Sequence, residues 1–120
     1  MNYLKKLLIF FVLIGTSSFV NADANPDVWP YIKERMFKDK PIKEVSFLKI
    51  DGPKRASSGA QVPINIKLTP KSGIEIIKVT IIIDSNPVQQ AATYHLTRNT
   101  QKLDLSTRIR METDSFVRVV

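Results

Sequence analysis

The sequence contains no cysteine, one histidine, one tryptophan and four glycines in 120 residues. Without cysteine there is no disulfide scaffold, no thiolate zinc site, no redox Cys-x-x-Cys pair and no thiol nucleophile. A lone histidine, His95, excludes a multi-histidine metal site. The sparse glycines form neither a Gly-x-Ser-x-Gly elbow nor a phosphate-cradling loop. Calcium-loop spacing is absent, and no carboxylate pair of the kind glycoside hydrolysis uses stands out. No internal repeat or low-complexity tract is present. What is there is 43% hydrophobic residues, enough for a packed core, in a chain of single-domain length. Lys and Arg number 18 against 11 Asp and Glu, a formal charge of +7.

The first residues fall into three zones. Lys5 and Lys6 make a short positive start. Leu7 to Ile14 is an unbroken apolar run. Val20-Asn21-Ala22 is a small-x-small cleavage site. This is the pattern of a secretory signal peptide over residues 1–22. The apolar run falls well short of the roughly 20 residues that span a bilayer, and a lipid anchor here would need a cysteine. Removal of residues 1–22 takes away Lys5 and Lys6, leaving 16 basic against 11 acidic residues, a net +5. An exported chain this small, without disulfides, must draw its stability from burial or from a partner.

Residues 23–43 form an N-terminal helical segment. Asp27 is the expected N-cap, and Pro30 is tolerated in the first turn. Trp29, Ile32 and Met36 share a face at helical spacing, with Phe37 beside them, while Lys33, Glu34 and Arg35 point away. Lys38-Asp39-Lys40-Pro41 stops the helix. The period then changes to two. Strands are expected over Glu44–Ile50, Gln61–Leu68, Ile74–Ile83, Ala91–Thr97, Leu103–Met111 and Ser115–Val120. Turn residues separate them: Asp51-Gly52-Pro53, Pro70 to Gly73, Asp84-Ser85-Asn86-Pro87, Arg98-Asn99-Thr100 and Glu112-Thr113-Asp114.

Val62, Ile64, Ile66 and Leu68 share one face. Pro63 between them removes a ladder donor and points to an edge strand or a bulge. Ile74–Ile83 is apolar on both faces and β-branched, the pattern of a central strand. Leu103, Leu105, Thr107, Ile109 and Met111 face in. Residues 44–120 therefore read as an immunoglobulin-like β-sandwich, mainly β, with the helix covering an open end or edge. A seven-stranded sandwich needs one more strand than the six found, so the last strand is expected to be missing.

Candidate chemistry is thin. His95 lies mid-strand, where a structural or surface role outweighs a catalytic one. A hydrolase built on it would lose activity in His95→Ala. Asp51, Asp84 and Asp114 lie in or beside turns, where Asp bonds the backbone. Lys54-Arg55 and Arg108/Arg110 are small basic clusters without interleaved aromatics, which speaks against nucleic acid. Arg108 and Arg110 are a solvated strand face or, functionally, a docking patch for an acidic surface on a partner protein. Trp29 is a core residue by spacing, or a binding anchor. No cofactor or metal ligand set emerges, and the reading is of a binding protein rather than an enzyme.

Several strings resemble a known family. They are Trp29-Pro30, Met36-Phe37-Lys38-Asp39-Lys40-Pro41-Ile42, Val62-Pro63-Ile64, Asp84-Ser85-Asn86-Pro87 with Ala91-Ala92-Thr93-Tyr94, and Leu105-Ser106-Thr107-Arg108-Ile109-Arg110. In this order they are similar to SoxY-type sulfur-carrier domains, and most of all to the quinoprotein dehydrogenase-associated SoxYZ-like carriers. The resemblance implies an immunoglobulin-type domain exported to the periplasm. It also implies a SoxZ-like domain or partner, and a role in sulfur (thiosulfate) oxidation or beside a quinoprotein dehydrogenase. In SoxY proper a cysteine on a glycine-rich arm holds the sulfur intermediate. This sequence has no cysteine, so no carrier residue transfers to it, and it reads as a truncated carrier domain. The alternative reading is a stand-alone exported interaction module that accepts a strand from its partner.

Overall fold

The structure, a computed structural model, describes residues 24–120. The signal peptide expected over residues 1–22 lies outside them.

A short 3-10 turn, Pro26–Val28, leads into helix α1, Trp29–Phe37. The turn is capped by Asn25, whose side chain accepts from the Asp27 backbone N–H at 2.9 Å. Asp27 is therefore inside the first turn and is not the cap, as its spacing had suggested; Pro26 and Pro30 occupy positions whose N–H groups need no partner. At the other end Lys38 takes a positive φ of 51° and its N–H closes on Glu34, ending the helix where the charged segment before Pro41 stops it.

Six strands follow: β1 Leu48–Asp51, β2 Val62–Leu68, β3 Lys78–Ile83, β4 Gln90–His95, β5 Leu103–Ile109 and β6 Val117–Val119. They form two antiparallel three-stranded sheets, ordered β1-β2-β5 and β4-β3-β6. The immunoglobulin-like sandwich expected from the alternation is thus observed. The core is the contact between the inner faces: Val62, Ile64, Ile66 and Ile109 from one sheet meet Ile81 and Ile83 from the other. Each buried isoleucine contributes about 1.5–3 kcal/mol.

The strands depart from the sequence reading in several places. The first strand starts at Leu48, not Glu44, and the third at Lys78, not Ile74; Ile74 and Ile77 are exposed. Strand β2 is central, not an edge. Proline is tolerated there because the pairing with β1 stops at Asp51↔Asn65, so only β5 flanks Pro63. The bulge lies elsewhere, between Ile81 and Ile82 in the β3–β4 pairing. Helix α1, expected over an end or edge of the sandwich, is fastened to the outer face of the β4-β3-β6 sheet through Arg118 of the edge strand β6 and Gln89 of the β3–β4 turn.

That placement follows from β3. Its residues Val79 to Ile83 are all buried, on both faces. Ile81 and Ile83 point into the core, so Thr80, Ile82 and Asp84 point outward and need a cover. Arg118 pairs directly with Ile82 and shares that outer face. Its guanidinium lies 4.5 Å from the Trp29 ring centroid, and Arg35 of the helix donates to Gln89 in the β3–β4 turn. Ile32, 2% exposed, is the buried residue of the helix, while Lys33, Glu34 and Arg35 face solvent as expected.

Candidate docking surface

Strand β5 places the expected basic pair. Its alternation sends Leu103, Leu105, Thr107 and Ile109 inward and Asp104, Ser106 and Arg108 outward. Arg108 sits opposite Pro63 and donates to Gln61 at 2.8 Å. Arg110, just past the strand, pairs with Glu112 at 2.7 Å. Both arginines are exposed at one end of the β1-β2-β5 outer face. A row of Lys49, Lys67 and Asp104 crosses the other end. Asn65 donates to Asp104 Oδ1 and Ser106 Oγ, both at 2.9 Å, and fixes the polar surface between them. This face is polar, and no element among the described residues covers it.

The Asn-Pro turn after β3 ties the two sheets together. Asn86 Nδ2 donates to the Arg110 carbonyl at 2.8 Å, and Asn86 Oδ1 accepts from the Glu112 N–H at 3.1 Å. Ser85 N–H donates to Ser115 Oγ at 2.9 Å. Arg110 is therefore held at its backbone while its side chain stays accessible.

Asp84, read from the sequence as a turn former, has a different task. Its carboxylate is fully buried and accepts three bonds from Arg118: Nε to Oδ1 and Oδ2 at 3.0 Å, and Nη2 to Oδ2 at 2.8 Å. The Arg118 guanidinium also lies 5.2 Å from the Phe116 ring centroid, so it meets two aromatic rings. Gln89 extends the cluster, accepting from Arg35 and donating to the Asp84 carbonyl at 2.9 Å. Arg118 was missed as a functional position in the sequence. The signal that could have found it is its place opposite Ile82 on a strand apolar on both faces. Trp29 is half-buried, and its ring is spent on Arg118 rather than offered to a partner.

His95 is exposed at the end of β4, opposite Lys78, and neither Ser nor Asp bonds to it among the described residues. Among those residues no three His, Cys, Asp or Glu side chains cluster to hold a metal. No helix among them is long and apolar enough to cross a membrane.

Among the described residues no strand bridges the side of the sandwich between β1 and β6. A groove of about 270 Å³ runs there, floored by Leu48, Leu68, Val119 and Val120 and walled by Ile42 and Phe47. A second cleft of about 780 Å³ continues at the other end, past Ile50 and Val117 to Lys54 and Arg55.

The class that the fold defines is a small two-sheet β-sandwich with one helix on an outer face. A family model described as sulfur oxidation protein SoxY matches residues 33–120, and the chain belongs to that family. Among solved structures it is similar to the sulfur carrier protein SoxY from Chlorobium limicola f thiosulfatophilum. The TM-score is 0.53 at 18% identity, over 78% of this chain and 90% of that one, a likeness of fold. No curated protein matches the chain.

Proposed function

We propose that this chain is the scaffold of an exported SoxY-type sulfur carrier and works by docking to other proteins. The observation that carries the reading is the family match over residues 33–120, which spans the sandwich and part of the helix. The 120 residues contain no cysteine, so they hold no sulfur intermediate covalently on a thiol. The thiol comes from protein outside these residues, and the sandwich serves as the rigid handle that presents it. Arg108 and Arg110 dock an acidic surface of a SoxZ-like partner or domain, in the periplasm, beside a sulfur-oxidising or quinoprotein dehydrogenase system. The domain itself catalyses no reaction.

The test is expression with the signal peptide and a SoxZ-like protein, followed by exposure to labelled thiosulfate. The expected result is a chain beginning at Asp23 in the periplasmic fraction, bound to the SoxZ-like protein. Label should appear only on a cysteine-bearing polypeptide. Absence of the complex, or label on the 120 residues themselves, would overturn the reading.

A further inference from the structure

Strands β4 and β5 follow one another in the chain and lie at edges of opposite sheets. The side of the sandwich between them is therefore closed by side chains rather than by backbone pairing. In the β4-β3-β6 sheet, β3 stands between this side and β6. Val120, which bonds Thr80 from the β6 side, takes no part in it.

The closure leaves a groove of about 280 Å³, walled by Ala92 and Tyr94 of β4 and by Thr107 and Ile109 of β5. The gap traces to Ala92. It pairs with Ile81 and packs toward the core, yet brings only a methyl group to that position. The turn after β3 fixes one end, because Asn86 bonds the Arg110 carbonyl and the Glu112 N–H. The walls are thus set before anything enters. Val88 on the same turn lines the groove and is 75% exposed. Ligand clefts run to about 300–1,000 Å³, so this groove has room for one large side chain rather than a whole small molecule.

Its rim is cationic. Arg108 and Arg110 line it, and no carboxylate does. Arg108 spends Nη1 on the neutral Gln61, and Glu112 takes only Nε of Arg110. Each guanidinium keeps N–H groups for a further acceptor. The two arginines are two residues apart, about 7 Å along a strand, which is the spacing of alternate residues in any extended segment. They stand toward the outer face, whereas Thr107 and Ile109 between and beside them face inward. An extended segment lying along this edge would match that alternation, with an apolar side chain turned in and carboxylates turned out. A second copy of the chain would set arginines against arginines.

We propose that the groove between β4 and β5 receives one apolar side chain from an extended, acidic segment of a partner protein, whose flanking carboxylates pair with Arg108 and Arg110. This deepens the docking reading and rests on it for the role of the two arginines. What it adds is the anchor pocket and the pattern of the guest, acidic-apolar-acidic.

The experiment uses the full chain and three synthetic peptides: Gly-Glu-Leu-Glu-Gly, Gly-Glu-Ser-Glu-Gly and Gly-Lys-Leu-Lys-Gly. Each is titrated while the backbone amide shifts are followed. The expected result is movement of the Ala92, Tyr94 and Thr107 amides, with the acidic leucine peptide binding roughly tenfold tighter than either of the others. Ala92→Leu fills the groove and leaves both arginines in place, so it should remove the preference for leucine over serine. Should that variant not fold, Arg108→Glu with Arg110→Glu leaves the groove intact and should make the basic leucine peptide the tighter binder. Four outcomes overturn the proposal: no groove amide moves, the two acidic peptides bind equally, the two leucine peptides bind equally, or the free chain sediments as a dimer that Ala92→Leu dissociates. Equal binding of the acidic peptides would remove the groove and leave the arginine docking patch. Loss of the complex with a SoxZ-like protein, read separately, would remove the docking reading itself.

Discussion

Strands β2 and β3 hold the same position, each in the middle of a three-stranded sheet, yet their surroundings differ. Along β2 buried and more accessible residues alternate, and the outer face of its sheet meets water through Asn65, Lys67 and Arg108. Along β3 every residue from Val79 to Ile83 is buried. The inner faces share one core, so the contrast lies outside it. A strand apolar on both faces needs two covers, and the second is α1, fastened through Trp29 and Arg118. One sheet is therefore free to present a polar surface to a partner, while the other is committed to its own helix.

Substitutions can break or sharpen this contrast. The largest effect should come from Arg118→Met, which leaves the fully buried Asp84 carboxylate without its cation. Loss of one partner of a buried pair costs about 3–5 kcal/mol, read as a lower urea midpoint. Substituting both Asp84 and Arg118 by apolar residues should cost less than the sum of the two single changes. Ile82→Ala should follow, at about 2–4 kcal/mol, because Ile82 is 0% exposed on the face that α1 covers. Trp29→Ala removes the ring over Arg118 and should cost about 1–2 kcal/mol. As the single tryptophan, Trp29 also reports the contact, and its emission should shift to the red in Arg118→Met. At the small end, Arg108→Ala and Arg110→Ala on the open face should each stay within about 0.5 kcal/mol. A loss from Arg108→Ala as large as that from Ile82→Ala would erase the distinction between the two outer faces.

Much of this was legible beforehand, for reasons tied to particular residues. Period two in Val62–Leu68 and Leu103–Ile109 placed both strands and their buried faces, because each meets water on one side. The Asp84-Ser85-Asn86-Pro87 turn was visible too, but the fate of Asp84 was not. Turn chemistry explained it adequately in isolation, and its partner lies 34 residues away. Pro63 misled because a strand can be central over most of its length and unpaired on one side at its end. Ile74 to Ile77 looked like strand by composition, yet the pairing begins at Lys78. The helix was found, but the face it packs on was not; the double-sided burial of β3 was the clue to its seat. Arg108 and Arg110 stand exposed as the alternation required; the docking role proposed for them depends on a partner's surface, which this chain's periodicity does not encode.

The Trp29–Arg118 contact joins residues from near the two ends of the described chain, and this sets an order of assembly. Helix α1 emerges first during synthesis but has no seat until β3 and β6 have paired. Contacts this distant in sequence form slowly, because the long loop between them must close before they reward it. Until then Thr80 and Ile82 lie bare on a β-branched strand, the segment most inclined to pair with a neighbouring molecule. The helix thus acts as a timed shield: the interval between synthesis and its docking is when the chain is most exposed to aggregation, and when a chaperone would have most to hold.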